Sequence, residues 1–332
     1  MRRAAACLLA MLALCACERP AVEAPRETAR PEPVVVYASY EDQNYLPSLF
    51  AEFTREIGIP VSVRHRPEQQ IVNEVIEKRG SPPADVLLTR SVHGVWRAAD
   101  EGALRPLQSE TVSGFAPGWL RDPDGYWTAI GFSTLDVVCN ASSGADCDAA
   151  AAYENLGQAE FRGQLCLSSS SLAINRTLIA GLIADHGVRP AELIVRGWMA
   201  NLALPPHETE EALLEAVEAG TCGLGIVSGL AFQDFSGSTV VSSWPQRGYF
   251  NVVAVGIGRH ARSPDSARRL VEWLVDRGAQ AAQYAATGLR PVNPDVPAHP
   301  FEFPAPVERR NAGIAGAHES DAVKLAERAR WY

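Results

Sequence analysis

The feature that most limits what this chain can fold into is the unbroken run Val34-Val35-Val36-Tyr37, followed at once by apolar residues at helical spacing. A strand that alternates apolar and polar residues keeps one wet face. A continuous β-branched run needs cover on both faces, as in a parallel sheet flanked by helices. Leu46, Leu49, Phe50, Phe53 and Ile57 supply the first covering helix, ended by Gly58 and Pro60. Val61-Ser62-Val63 then reads as a second strand, Val72, Val75 and Ile76 as a second helix, and Val86-Leu87-Leu88 as a third buried strand. The rhythm returns further on. Residues 135–138 are strand-like, and residues 172–185 are helical between a run of serines and Gly187. Residues 209–219 form a helix with acids in its first turn, which suits its dipole. Residues 224–227 and 252–255 are strands, and Ser263-Pro264 opens a helix carrying Leu270, Val271 and Leu274. The class is therefore α/β. Two such lobes joined by crossing strands leave a cleft, and ligands of open α/β sheets collect beyond the carboxyl ends of the strands.

The chain has 332 residues, 47% of them apolar, enough for two lobes with separate cores. Its start is of another kind. Met1-Arg2-Arg3 is followed by an apolar run from Ala4 to Leu14, too short to span a bilayer, which reads as an export signal. The run closes on Leu14-Cys15-Ala16-Cys17, which resembles the lipobox of bacterial lipoproteins. That resemblance makes residues 1–16 a removed leader and Cys17 the lipidated first residue, so the only hold on a membrane is the lipid. Residues 17–33, rich in Pro, Glu, Ala and Arg without a hydrophobic period, are expected to be a disordered tether. The net charge is −9, and −11 once Arg2 and Arg3 are removed with the leader. Nucleic acid is excluded as a partner, since no basic excess exists to displace counterions.

Four of the seven cysteines remain after the leader and Cys17 are set aside: Cys139, Cys147, Cys166 and Cys222. An even number in an oxidising compartment reads as two disulfides, with three connectivities formally open. A zinc site is not expected, because no histidine stands at ligand spacing from any of them. Cys139 with Cys147 nearby reads as a bridged pair rather than a nucleophile. The chain has no Gly-x-Ser-x-Gly, no His-Glu-x-x-His and no phosphate loop, so no enzyme activity, cofactor or metal is expected.

Residues 34–44 (VVVYASYEDQN), 84–96 (ADVLLTRSVHGVW), 120–127 (LRDPDGYW), 163–177 (GQLCLSSSSLAINRT), 219–228 (AGTCGLGIVS), 290–296 (RPVNPDV) and 321–331 (DAVKLAERARW) follow one another in an order and spacing that resembles the ferric-iron-binding substrate-binding proteins of bacterial ABC importers. The resemblance covers the chain from Val34 onward. It implies a two-lobed periplasmic-binding fold of type II, with a ligand cleft between lobe 1 (residues 34–133 plus 252–298) and lobe 2 (residues 134–251 plus 299–332). It implies a monomer in the periplasm or cell envelope that hands a small ligand to an importer permease. It also implies pairing of Cys166 with Cys222.

One departure is decisive for the ligand. Members of that family hold iron through consecutive tyrosines just after the strand equivalent to residues 224–227, where this chain reads Ser228-Gly229-Leu230-Ala231-Phe232. Ferric iron favours anionic oxygen donors, and a glutamate that some members carry after the third strand is replaced here by Arg90. The candidate ligand set is thus Tyr40, Glu41 and Asp42 after the first strand, Arg90 and Ser91 after the third, Ser169, Ser170 and Asn175 around the start of the helix from residue 172, and Ser228 and Phe232. Arg90 can grip a carboxylate or phosphate through two parallel bonds, and serine hydroxyls with free amides at a helix start favour anions. Glu41 and Asp42 facing them make the site zwitterionic. Tyr40, Phe132 and Phe232 offer an apolar wall, while His93 and His207 read as surface or helix-end residues. The expected ligand is a small anion or zwitterion. The alternatives are ferric iron, or an iron–anion complex, held by Glu41, Asp42 and a bound anion, or a sensory binding module without transport.

Overall fold

The computed structural model describes residues 31–39, 44–78, 83–245, 247–297 and 308–332. The leader, Cys17 and nearly all of the tether lie outside the described residues, as do Tyr40, Glu41 and Asp42. Residues 32–332 form one compact unit by themselves.

The βαβ expectation holds at the start. Strand β1 (Val34–Ser39) is followed by α1 (Leu46–Ile57), β2 (Val61–Arg66), α2 (Glu68–Ile76), β3 (Val86–Thr89) and α3 (Val92–Asp100). β1 runs parallel to β2 and to β3, and all six of its residues are buried, as the β-branched run demands. Gly58 ends α1 at φ +78°, a left-handed cap whose N–H reaches Thr54 O. A short β4 (Leu104–Arg105) and α4 (Glu110–Phe115) then lead to β5 (Trp127–Asn140), a single strand of 14 residues.

The second half is built from β6 (Leu165–Cys166), α5 (Ala173–His186), α6 (Val188–Asn201), α7 (Glu210–Glu218), β7 (Leu224–Ser228), α8 (Gly229–Asp234) and β8 (Val240–Ser243). The chain returns through β9 (Arg247–Gly248), β10 (Phe250–Gly258), α9 (Pro264–Leu274), α10 (Arg277–Thr287), β11 (Glu308–Arg309) and α11 (Gly313–Ala329). Thr209 caps α7 and Pro264 opens α9 as expected, although the Ser263 side chain makes no cap bond.

The main sheet runs β2-β1-β3-β10-β5-β7-β6, and its two central strands join the halves. The first part of β5 (Trp127, Ala129, Ile130, Phe132) and β10 sit in one core, with Val36, Phe53, Leu87 and Leu270. The second part of β5 (Leu135, Val137, Cys139) sits in another, with Leu165, Leu178, Trp198 and Ile226. Between Val253 and Ala254 the register shifts, leaving Ile130 of β5 without a partner, a bulge that bends β5. α11 also joins the two cores. Its approach is fixed by Ala312 in the first core and by Asn311, which donates to Gly118 O and Arg121 O, and its end buries Leu325 and Trp331 in the second.

Cys166 and Cys222 form a disulfide. The expected bridge between Cys139 and Cys147 is not formed: both are thiols. Cys139 lies wholly inside the second core on β5 and meets Cys147 as a hydrogen-bond partner, and burial followed by that neighbour pushes its thiol far above the ordinary range. No helix among the described residues is long and apolar enough to cross a membrane.

Candidate functional site between the lobes

The carboxyl ends of β3, β6 and β7 deliver the polar residues that the sequence singles out. After β3, Glu68 at the start of α2 clamps the turn. Its two carboxylate oxygens accept from Arg90 N (2.6 Å) and Ser91 Oγ (2.7 Å). Asn251 on the crossing strand β10 donates to Arg90 O at 3.3 Å and, through its Oδ1, meets Thr177 Oγ1 of α5 at 3.5 Å. Arg90 is thereby tied by its backbone to both lobes while its side chain stays half-buried.

The serines after β6 are more committed than expected. Asn175 donates to Ser168 O, Ser168 Oγ and Ser169 O, and Ser170 Oγ donates to Trp331 O at 2.7 Å. Trp331 Nε1 in turn donates to Ser168 O. Asn175 is wholly buried, so it builds the loop instead of facing the cleft. Ser169 remains partly exposed, with its hydroxyl beside that of Ser171 at 2.9 Å. After β7, Ser228 caps α8 and is held through its N–H and hydroxyl by Glu210. Phe232 packs on a satellite core with Leu213 and Val227, and Phe132 sits in the first core edge-on to Trp119 and Phe250. Leu230 reaches the other way. It packs on the first lobe beside Gly288, where an added Cβ would stand 2.8 Å from its Cδ1.

Three features escape a reading of the sequence. Asp136 is 1% exposed in the middle of β5, and burial raises its pKa against the opposing pull of Thr134, Ser242 and the Arg290 charge. Ser242 Oγ donates to it at 2.9 Å, and Gly229 lets the start of α8 lie against it. Arg290 pairs with β5 through its backbone at Phe132, and its guanidinium lies over Trp244, 5.4 Å from the ring centre. Glu210 is a second carboxylate whose pKa burial raises, despite its bonds from Ser228. Third, a cavity of about 470 Å³ opens between the lobes, lined by Glu68, His93 and Arg97 on one side and Arg176 and Glu319 on the other. There His93 Nδ1 and Arg176 Nε each stand 2.7 Å from a different oxygen of Glu319. Burial alone would lower the His93 pKa, but the Glu319 carboxylate outweighs it and the net shift is upward. Burial likewise opposes ionisation of Glu319, yet His93 and Arg176 hold its pKa below the ordinary value. His93 stands in the first turn of α3, a helix end as expected, and is also paired with Glu319. His207 lies away from this cavity, beside the disulfide.

Charged groups of both signs and a half-buried arginine at a strand end thus stand beside the strands that join the two halves. The profile of the family described as bacterial extracellular solute-binding protein matches residues 48–310. The chain belongs to that family. This solute-binding protein is 29% identical over 248 residues to Iron uptake protein A1 of Synechocystis, covering 70% of this chain and 68% of that one. It is 25% identical to Iron uptake protein A2 of the same organism, over 92% of each chain. A solved structure of the Trichodesmium protein called IdiA or FutA, in complex with iron and citrate, superposes with a TM-score of 0.80 at 27% identity, covering 90% of this chain and 99% of that one. Apo FutA2 from Synechocystis gives 0.79 at 22% identity over 91% and 100%, a likeness of fold. The solute-binding protein thus has the two-lobed periplasmic-binding architecture.

Proposed function

We propose that this protein is a lipid-anchored, monomeric solute-binding protein of the periplasm that captures a small anionic or zwitterionic ligand by closing its lobes and presents it to an ABC importer permease. The leader (residues 1–16), the lipid on Cys17 and the tether are part of this reading. The observation that carries the ligand class is the place after β7, where Leu230 and Ala231 stand and Leu230 is spent on packing against the opposite lobe. Tyr249 and Tyr153 do not make up the loss. Tyr249 donates to Asp185 at 2.7 Å and Tyr153 to Leu135 O at 2.6 Å, and burial pushes both phenols well above the ordinary range, away from the phenolate that iron needs. Arg90, with Ser169 at the start of α5, supplies the anion-binding side, and Glu41 and Asp42 the opposite charge.

Native mass spectrometry of protein purified from its own host should find a small anionic or zwitterionic organic mass released on denaturation. The same ligand should stabilise the protein by an amount set by its concentration over its Kd, and Arg90→Ala should remove most of that shift. An equal shift in Arg90→Ala would remove Arg90 from the site. A second reading is favoured by the iron and citrate held by the Trichodesmium relative: an iron–anion complex captured through its anion. It predicts that iron is released together with the organic mass.

A further inference from the structure

Cys166, Cys222 and His207 come together although they are far apart in the chain. Cys166 closes β6, Cys222 lies in the turn before β7, and His207 sits in the loop before α7. Their Sγ and imidazole nitrogen atoms all lie within 4.8 Å of one another. The backbone of His207 is fixed there, its N–H donating to Leu167 O at 2.8 Å and its carbonyl accepting from Ser169 N at 2.7 Å. Its Nε2 is buried and has no hydrogen-bond partner. An imidazole nitrogen desolvated without a partner is costly, and the ring that carries it stands beside two cysteine sulfurs.

We infer that the dithiol form of this protein carries a binding site for a thiophilic divalent cation of the zinc type, formed by the Cys166 and Cys222 thiolates and the His207 imidazole. Two thiolates and one imidazole are a donor set suited to a tetrahedral ion, with water as the fourth ligand. The disulfide and the metal site exclude each other. A dithiol reductant passes two electrons and two protons to the Cys166–Cys222 bond and is itself oxidised to a disulfide. The cation then displaces the two thiol protons and takes the imidazole lone pair. In the reverse direction the bound cation ties up both thiolates and delays closure of the bridge. The three metal ligands are not among the residues proposed to hold the transported ligand, although His207 O accepts from Ser169 N, so cobalt uptake is read without that ligand and its failure leaves the transport reading in place.

The test uses cobalt(II) as a coloured stand-in, added to the full chain under a dithiol reductant removed before titration, with circular dichroism to follow the fold. Reduced protein should take up one cobalt with a thiolate-to-metal band in the near ultraviolet and the visible bands of a four-coordinate ion. The oxidised protein should show neither. Cys222→Ser should abolish the bands. His207→Ala, which keeps both cysteines, should weaken binding by at least the roughly tenfold that loss of a mere supporting partner costs a metal site. Zinc should bleach the spectrum and slow reoxidation of the native chain but not of His207→Ala. Bands that persist unchanged in both variants would place the ion on other cysteines and overturn the inference. So would a reduced chain that binds no cobalt, whether it is folded or unfolded.

Discussion

The two lobes are held together by different means. The first packs regular strands and helices into one apolar core, and its few buried polar groups are answered by the main chain: Asp85 accepts from the N–H groups of Val35, Arg262 and Ser263, Gln280 donates to Ile130 O and Leu274 O, and Asn293 donates to Val275 O. The second threads irregular turns through its interior and ties their carbonyls with side chains. Asn140 donates to Val217 O, Asn201 to Leu156 O and Gln158 O, and Trp198 to Tyr153 O. A buried turn has no neighbouring strand to satisfy its carbonyls, so an amide or indole must do it. Both lobes use buried amides in this way, and the difference is that the second divides its apolar interior into two clusters and adds a covalent bridge.

Truncation should separate the two. Phe53 is fully buried and edge-on to Trp273, 5.5 Å between ring centres. Phe53→Ala should cost about 3–5 kcal/mol in denaturant unfolding. Next comes the bridge of the second lobe: Cys222→Ser should cost ~2–4 kcal/mol, since Cys166–Cys222 closes a loop across 56 positions. Asn201→Ala should cost about 1–3 kcal/mol by leaving the buried Leu156 carbonyl, and the part-buried one of Gln158, without their donor. Should Asn201→Ala prove as mild as a surface change, the turns of the second lobe do not depend on that amide.

The smallest effect tests the joint between them. The His93–Glu319 pair links α3 of the first lobe to α11. The folded His93 pKa is raised, so the pair's contribution is complete below the ordinary histidine value of about 6.5 and disappears as pH climbs through the raised value. At the acid end it is lost as pH falls through the depressed pKa of Glu319. Both groups are partly exposed, so the effect should be at most about 1 kcal/mol. The stability gap between native protein and His93→Gln should be widest between the depressed Glu319 value and the ordinary histidine value of about 6.5, and should narrow as pH rises through the raised His93 value. A gap independent of pH would mean that His93 acts through packing alone.

Much of the first lobe could be read from the chain, because Val34–Ser39 and Val86–Thr89 are buried on both faces and show it in their composition. The pairing of Cys166 with Cys222 also followed, through resemblance. Other features were hidden for physical reasons. α6 starts directly at Gly187, which at φ +83° ends α5 and so reads as a stop. Asp136 sits inside an apolar strand, where its partners Ser242 and Arg290 arrive from more than a hundred residues away. The run Ser168–Ser171 looked like an open anion site because the residue that occupies Ser170, Trp331, is 161 positions distant. The helix-end place of His93 is legible, but its ion pair is not, because its partner Glu319 is 226 positions further along the chain. Local patterns report local contacts, and the cleft is made of distant ones.

The most direct test of the ligand class is a titration of the metal-free protein with ferric citrate, followed by visible absorption and thermal melting. Leu230 and Ala231 in place of tyrosines, with Tyr153 and Tyr249 buried and protonated, predict no tyrosinate-to-iron band, whether or not the complex raises the melting temperature through its citrate. A strong band, growing to one iron per chain, would contradict the account and put a tyrosine in the cleft, with Tyr40 first in line.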